Sequence, residues 1–286
     1  MTTAMTMGLS PVLELGGRRY DLTTRALVMG ILNRTPDSFY DKGATWEWDA
    51  FWQRADQIVS EGADILDVGA VKAGPGPDVD EDEELARLMP AVEGLVSRFD
   101  LPVSVDTWRA SVAAEAFRAG AVLGNDISGF ADPKYLDVAA AAGASVVATH
   151  IRLAPRVPDP EPVYNDLVSD VSAFLTERAE RALAAGIPAS RVVVDAGLDL
   201  GKTASQSLEL LRASARLAAL GYPLLLSASN KTFLGVVLDL EINQRREASA
   251  SAHALGIALG CRVVRAHDVR GTRRVRDMLA AIMEAK

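Results

Sequence analysis

Polar and charged side chains recur along this sequence wherever a short apolar run ends. They are Asn33, Asp67, Asp106, Asn125, Asp126, His150, Asp195, Lys231, Arg265 and His267. Carboxylate and amide oxygens accept hydrogen bonds, whereas Lys, Arg and protonated His stabilise negative charge. Turn formation accounts for any single Asp or Asn, but turns do not require the basic residues as well. The set therefore predicts one polar, charged site at the ends of several strands.

The apolar runs before these residues alternate with stretches of helical periodicity. The runs are ALVMGIL, ADILDV, PVSV, AVLG, ASVVAT, RVVV, YPLLL and CRVVRA. Continuous apolar runs are typical of parallel strands that are covered on both faces. A strand followed by a helix eight times predicts an α/β fold, a single (β/α)8 TIM barrel. Active sites of this fold gather at the carboxyl ends of the strands, where the polar residues lie.

The beginning of the chain falls outside this repeat. We interpret residues 1–25 as an N-terminal extension in which VLELGGRRYDL forms a short hairpin at the bottom of the barrel. Residues 26–286 contain no Pro-, Gly- or Ser-rich linker, so we expect them to form one barrel domain.

Composition narrows the class of function. The 30 basic and 38 acidic residues give a net charge of −8, which argues against nucleic-acid or anionic-membrane partners. The single cysteine, Cys261, excludes an intramolecular disulfide, so we expect a reducing, cytoplasmic location. The opening MTTAMTMGLSPVLELGG lacks the basic and apolar regions of a signal peptide. Small-molecule chemistry fits these features best.

Several motifs carry a resemblance to a known family. They are MGILNRTPDSFYDKG, GADILDVGA, VSVDTWRASVAAEAFRAGAVLGNDISG, VVVDAGLDLGKT, SNKTFLG and RAHDV. Together, in this order, they are similar to dihydropteroate synthase over nearly the whole chain. The resemblance implies a barrel, usually homodimeric, that joins 6-hydroxymethyl-7,8-dihydropterin pyrophosphate to p-aminobenzoate and releases pyrophosphate with the help of Mg²⁺.

The resemblance also implies roles for individual residues. The residues implied to bind the pterin are Asp67, Asp106, Asn125, Asp195 and Lys231. Asn33, Arg265 and His267 are implied to be catalytic, stabilising the departing diphosphate, and Asn33 is implied to hold Mg²⁺.

Three loops depart from the family pattern. The family usually has Gly-Glu-Ser-Thr-Arg-Pro-Gly after the second barrel strand, but this chain places Lys72, Ala73 and Gly74 there and lacks both the Thr and the Arg. The usual Gly and Phe of a later glycine-rich loop are replaced by Asp199, which could repel an anionic substrate, and by Leu200. The usual Ser-Arg-Lys has Asn230 in place of its Arg.

These departures favour a divergent second dihydropteroate synthase, of the often inactive kind, with synthase activity that is weak or lost. One alternative is a competent synthase whose anion site is rebuilt from Arg34, Lys42 and Lys72. A second is a non-catalytic pterin-binding or assembly protein. A pterin-binding methyltransferase domain is a further alternative, whereas GLDLGKT has one residue too few between its glycines for a phosphate-binding P-loop.

The remaining features have structural interpretations. The acidic run at residues 78–84 is expected to form a solvated helix start, and Trp46, Trp48 and Trp52 to pack outside the barrel or form a lid. His253 and Cys261 are expected to pack structurally, and His150 matches no clear family residue.

Overall fold

Eight parallel strands close into a barrel in this computed structural model, which describes residues 12–35 and 46–285. A two-stranded hairpin of β1 (Val12–Leu15) and β2 (Arg18–Asp21) precedes it. The barrel strands are β3 (Leu27–Asn33), β4 (Ile65–Gly69), β5 (Val103–Asp106), β6 (Leu123–Asp126), β7 (Ser145–Thr149), β8 (Val192–Asp195), β9 (Leu224–Leu226) and β10 (Cys261–Ala266). They follow chain order, and β10 pairs with β3 to close the ring. The predicted barrel and hairpin are confirmed.

Helices surround the barrel. They are α1 (Trp48–Glu61), α2 (Glu81–Arg98), α3 (Ala110–Arg118), α4 (Tyr135–Ala141), α5 (Leu167–Ala184), α6 (Ala204–Arg212), α7 (Ser214–Ala218), α8 (Thr232–Leu238), α9 (Arg246–Ala258) and α10 (Val269–Glu284). Short 3₁₀ turns occur at Ala189–Arg191 and Ile242–Gln244. The helical periodicity did not predict α8. None of the helices in the two described ranges is long and apolar enough to span a bilayer.

The hairpin covers the amino-terminal end of the barrel. Leu13 and Leu15 are completely buried against a cluster of interior side chains that includes Met29 and Ile65. The Ser145 hydroxyl also donates to the carbonyl oxygen of Glu14. This end of the barrel is therefore apolar and filled, which leaves the carboxyl end for polar groups.

The tryptophans of the first helical segment are packing residues. The rings of Trp48 and Trp52 stack with centroids 5.7 Å apart on α1. A Cβ added at Gly94 of α2 would lie 2.2 Å from the Trp52 ring, so this glycine lets the two helices approach. The ring therefore packs against a neighbouring helix outside the barrel.

The expected solvated helix start is wrong for one of its acids. Asp80 caps α2 by accepting a hydrogen bond from the Glu83 amide at 2.8 Å. Glu84, however, is completely buried, where it accepts from the Thr107 hydroxyl at 2.6 Å and pairs with Arg109. Burial raises the pKa of Glu84, and these partners oppose the rise. Glu84 thus anchors α2 to the loop after β5.

Candidate functional site

A charged cluster lies across the carboxyl ends of β4, β5 and β10. The Arg265 guanidinium donates from Nε to Asp67 at 2.6 Å and from Nη2 to Asp106 at 2.8 Å. Asp67 is completely buried, and the Arg265 side chain is 17% exposed. The structure thus brings together two carboxylates from the predicted pterin set with an arginine from the predicted catalytic set.

Two further groups hold Asp67 in place. The Ser104 hydroxyl donates to Asp67 Oδ1 at 2.6 Å, because the register of β4 and β5 places these residues side by side. The Asn125 amide reaches both Asp67 oxygens at 3.4 Å. Both carboxylate oxygens of Asp67 therefore accept hydrogen bonds within the cluster. The side-chain carbonyl oxygen of Asn125 remains an acceptor for another group.

Asp106 is the last residue of β5, and its side chain is 15% exposed. Burial raises the pKa of Asp106 to about 7, while Arg265 and Lys231 oppose the rise and the neighbouring Asp67 adds to it. A carboxyl with this pKa can exchange a proton near neutral pH, so it can accept from or donate to a ligand.

Asp195 and Lys231 face the same space from β8 and the start of α8. Asp195 is buried and accepts a hydrogen bond from the Gly197 amide at 2.8 Å. Burial raises its pKa, whereas this hydrogen bond and the charge of Lys231 lower it. Because Lys231 acts on both Asp106 and Asp195, the five predicted pterin-binding residues form one neighbourhood.

His267 follows the last residue of β10 and lies close to Arg265. Its amide donates to the Ser229 hydroxyl at 3.1 Å, and Nδ1 lies 3.1 Å from the same oxygen. Burial and the nearby Arg265 lower the pKa of His267 to about 3, so the ring is neutral at pH 7. Asn33, Ser229, Asn230 and His267 line one cavity of about 550 Å³. Two of the three predicted catalytic residues, Asn33 and His267, therefore share a cavity.

The described residues hold no cluster of three or more His, Cys, Asp or Glu that could bind a metal. Asn33 is the one predicted metal ligand, and a single amide oxygen fits the way Mg²⁺ is held. This ion keeps several waters and takes one or two protein oxygens together with substrate phosphates.

Arg34 occupies an aromatic enclosure. It is 4% exposed, its guanidinium lies 3.9 Å from the Trp48 ring centroid and 4.8 Å from that of Trp46, and it donates to the Trp46 carbonyl oxygen. This placement argues against Arg34 as part of a rebuilt anion site. Lys72 is half-buried on its loop, and Lys42 lies outside the described residues.

Four of the altered positions meet in a second cavity. Ala73, Gly74, Asp199 and Leu200 all line a space of about 160 Å³. The predicted departures are therefore neighbours in space, although two loops supply them. The altered position of the third loop, Asn230, instead lines the larger cavity and has a φ of 56°.

Asp199 adopts a backbone conformation that favours glycine, with a φ of 66°. Its carboxylate accepts from the Thr232 amide at 2.5 Å and from the Phe233 amide at 3.3 Å, at the first turn of α8. These bonds hold the left-handed backbone and fix a carboxylate at the cavity wall.

Lys202 is a buried cation of the same wall. Its ammonium contacts His150 Nδ1 at 2.8 Å, the His150 carbonyl oxygen at 3.2 Å and the Leu200 carbonyl oxygen at 2.9 Å. Burial lowers the pKa of Lys202 to about 7 and that of His150 to about 3. His150 therefore positions Lys202.

The loop after β7 is tied to the loop after β4. The Arg156 amide donates to the Ala73 carbonyl oxygen at 3.1 Å, and Arg156 Nη2 donates to the carbonyl oxygens of Gly76 and Pro77. The guanidinium therefore acts as a clasp over the loop that lacks the family Thr and Arg.

Sequence reasoning missed three contributors to the site. Ser104, Ser229 and Lys202 each contact a predicted residue or line a cavity. The signal for Ser104 was a lone hydroxyl within an apolar strand, opposite Asp67 in register. Ser229 and Lys202 carried no signal beyond their membership of the SNK and GKT motifs.

Comparison with known proteins places these features in a family. Residues 29–267 match the family described as pterin binding enzyme. The chain is 48% identical over 264 residues to a Mycobacterium leprae protein named inactive dihydropteroate synthase 2, which covers 90% of this chain and 91% of that protein. It is 40% identical over 261 residues to Bacillus subtilis dihydropteroate synthase, which covers 91% and 89% of the two chains.

A solved structure agrees with both relatives. The Yersinia pestis dihydropteroate synthase in a sulfonamide drug complex superposes with a TM-score of 0.92 at 36% identity, covering 96% of this chain and all of that one. The fold, the order of motifs and the extent of the match thus agree. The chain belongs to the pterin-binding enzyme family, with dihydropteroate synthases as its relatives.

Proposed function

We propose that this chain is a dihydropteroate synthase-like pterin-binding protein whose synthase activity is weak or lost. One observation carries the proposal. The strand-end residues that match the family pattern form a connected, buried cluster, whereas Ala73, Gly74, Asp199 and Leu200 together line a separate cavity. If binding of the second substrate is lost, the pterin-binding residues are expected to be retained and the residues of the other cavity to be replaced.

The retained cluster suits a pterin. The edge of a dihydropterin carries amino and ring N–H donors beside ring acceptors. Asp195 and Asp106 supply carboxylate acceptors, Asn125 supplies a carbonyl oxygen, and Lys231 donates to ring acceptors. Because Asp195 is buried and Asp106 is fixed by Arg265, a ring without this donor edge would leave their remaining lone pairs without donors.

The cavity that Asn33 and His267 line suits the diphosphate. Asn33 would hold Mg²⁺ together with the phosphate oxygens, and the ion would neutralise charge that develops on the leaving group. The neutral His267 ring offers an N–H donor to a phosphate oxygen, since Ser229 is placed to donate to its Nδ1.

The loops that depart from the family pattern account for weak dihydropteroate synthesis. Each hydrogen bond to a charged group that is lost costs about 1.5–3 kcal/mol, or roughly 10- to 150-fold in rate when the bond acts in the transition state. The loop after β4 lacks the family Thr and Arg, so two such losses combine. We expect turnover by this chain to lie at least about 100-fold below that of an active relative.

The test is formation of 7,8-dihydropteroate by purified protein. The assay contains Mg²⁺, 6-hydroxymethyl-7,8-dihydropterin pyrophosphate and p-aminobenzoate, each varied to high concentration, with Bacillus subtilis dihydropteroate synthase as the positive control. Calorimetric binding of the dihydropterin pyrophosphate shows that the protein is folded and loaded. Pterin binding with little or no product supports the proposal, and turnover close to the control contradicts it.

We also propose a homodimer built on an apolar surface of α6, α8 and α9. The exposed side chains there are Leu208, Val236, Val237, Leu238 and Leu255. Helix α6 packs against both α8 and α9, so these side chains lie on adjacent helices, and extensive exposed apolar surface marks interaction sites. Analytical ultracentrifugation should find a dimer for the native chain and a monomer for Val237→Lys, whereas a monomeric native chain contradicts the proposal.

A further inference from the structure

Helix α1 contributes a cation to the larger cavity. Arg54 lies on this helix and lines the cavity of about 550 Å³ that Asn33 and His267 also line. We propose that Arg54 is a diphosphate-binding residue and the main protein cation that the diphosphate of the pterin ligand contacts. The inference rests on the proposed function, because it adds a residue to the cavity that the diphosphate would occupy.

The guanidinium of Arg54 is anchored beside His267. Its Nη2 donates to the backbone carbonyl oxygen of His267. Burial, Arg265 and Arg54 together lower the pKa of His267 to about 3, so the charge of Arg54 acts on this ring. Within residues 12–35 and 46–285 the guanidinium makes no other hydrogen bond. Nε and Nη1 therefore remain as donors for a ligand in the cavity.

The other charged side chains that line the cavity are paired with each other. Arg246 Nε lies 2.6 Å from a carboxylate oxygen of Asp268, and Arg270 lies 3.6 Å from Glu61. Arg54 forms no ion pair with a carboxylate of the described residues. Three arginines against two carboxylates leave the described lining with one net positive charge. That charge belongs to Arg54.

The residues implied to be catalytic supply little positive charge to this cavity. Asn33 is uncharged, and the His267 ring is neutral at pH 7 because its pKa is about 3. Arg265 does not line the cavity, and its guanidinium is paired with two carboxylates of the strand-end cluster. A diphosphate ester retains negative charge after one Mg²⁺ binds. Arg54 meets this requirement, because a guanidinium fork matches phosphate oxygens in pairs.

The sequence of α1 directs Arg54 into the cavity. Arg54, Gln57 and Glu61 are spaced at i, i+3 and i+7, and all three line the cavity. Phe51 and Ile58 are completely buried in the core and fix the helix. Because α1 follows the carboxyl end of β3 and runs back along the barrel, Arg54 is the member of this stripe nearest to the strand ends.

The experiment compares a pterin ligand with and without its diphosphate. The full chain is titrated by isothermal calorimetry with 6-hydroxymethyl-7,8-dihydropterin, with its pyrophosphate ester, and with inorganic pyrophosphate, each in the presence of Mg²⁺. The native chain should bind the ester at least about tenfold more tightly than the alcohol. Arg54→Gln should weaken binding of the ester and of pyrophosphate by roughly 10- to 150-fold and change alcohol binding by less than about twofold.

Two further variants separate a local contact from net charge and from folding. Arg98→Gln removes the same charge from an exposed position of α2, where the guanidinium lies 3.4 Å from Asp56, and should bind all three ligands like the native chain. Arg54→Met keeps a good helix former at the position and should lose the same affinity as Arg54→Gln. Urea denaturation establishes that each variant is folded.

Several results would overturn the inference. Equal affinity of the native chain for the ester and the alcohol would show that no cation serves the diphosphate. Unchanged ester binding in Arg54→Gln, or equal weakening of ester and alcohol, would remove Arg54 from the diphosphate site. Equal losses in Arg98→Gln would reduce the effect to net charge, and unfolding of both Arg54 variants would assign the residue to the fold.

Failure of both pterin ligands to bind would instead contradict the proposed function. The titrations with inorganic pyrophosphate would then still decide the role of Arg54, because they require no pterin. Pyrophosphate binding that Arg54→Gln weakens would keep Arg54 as an anion-binding residue, and a native chain that binds neither pterin nor pyrophosphate would overturn both proposals.

Discussion

The two halves of the site are built differently. The pterin side consists of residues at strand ends, such as Asp67 and Asp106, which the register of the barrel places and buried ion pairs connect. The second cavity consists of loop residues, such as Ala73 and Asp199, which backbone hydrogen bonds and the Arg156 clasp hold. Change on the strand side breaks a buried network, whereas loop residues can be exchanged at little cost to the barrel.

This contrast explains how a chain can retain one half of a site and remodel the other. An altered Asp67 would leave the Arg265 charge without one of its two carboxylates in a buried position. A substituted loop residue has to fit only the local backbone conformation. Asp199, for example, adopts the left-handed conformation with a φ of 66°. The two regions therefore differ mainly in how much folding free energy a substitution costs, and less in their distance from the reacting groups.

The largest effect is expected for Asp67→Ala. It removes the acceptor of Arg265 Nε and of the Ser104 hydroxyl, both at 2.6 Å, within a largely buried network. Breaking a buried ion pair costs about 3–5 kcal/mol, and we expect a loss of unfolding free energy in this range. Urea denaturation measures it. The control, Asp100→Ala, removes a pair on the surface and should cost less than about 1 kcal/mol; similar losses for the two variants would contradict the contrast.

Asp195→Asn should separate ligand binding from stability. The amide oxygen can still accept from the Gly197 amide, so the unfolding free energy should change by less than about 1 kcal/mol. The donor edge of the pterin loses a charged acceptor, which should weaken binding of 6-hydroxymethyl-7,8-dihydropterin pyrophosphate by roughly 10- to 150-fold. Calorimetry measures the affinity. Unchanged affinity would show that the pterin does not contact Asp195.

The protonation of Asp106 gives the strand side a pH dependence. Its folded-state pKa of about 7 exceeds the ordinary 3.8, so between these values the folded protein binds a proton that the unfolded chain has released. The stability that this carboxyl contributes is fully present below about pH 4 and is lost as the pH rises through 7, with a limiting slope of about 1.4 kcal/mol per pH unit.

Comparison with Asp106→Asn isolates this contribution. The difference in unfolding free energy between the native chain and the variant, measured by urea denaturation from pH 4 to 8, should fall as the pH rises. Carboxyls that do not interact with Asp106 cancel in the difference. A difference that is independent of pH, or that grows with pH, would show that Arg265 keeps Asp106 ionised throughout.

The barrel was predictable because its signals are local. Most barrel strands lie within or end a short apolar run, and the strand β3 is buried at six of its seven residues. Helix α8 was missed because it is short, and its exposed Val236, Val237 and Leu238 do not follow an amphipathic period. The burial of Glu84 was missed because its partners, Thr107 and Arg109, follow it by more than 20 residues, while its own segment is acidic.

The sequence predicted which residues form the site, but not which of their side chains contact each other. The motifs located the strand ends, yet the ion pair of Arg265 with Asp67 joins residues 198 positions apart across the closed barrel. Sequence spacing carries no information on such a contact. The capping of α8 by Asp199 was hidden for a related reason, since the helix itself was not predicted.

The smallest effect is expected on the loop side, for Arg156→Ala. The substitution removes the bonds from Nη2 to the Gly76 and Pro77 carbonyl oxygens but leaves the amide bond to Ala73. Both loops are exposed and lie outside the barrel, so the unfolding free energy should change by less than about 1 kcal/mol. Amide hydrogen exchange at residues 72–77 should nevertheless become several-fold faster, because the clasp restrains local opening. Arg212→Ala, on an exposed position of α6, is the control; equal exchange rates in the two variants would mean that the loop holds its conformation without the guanidinium.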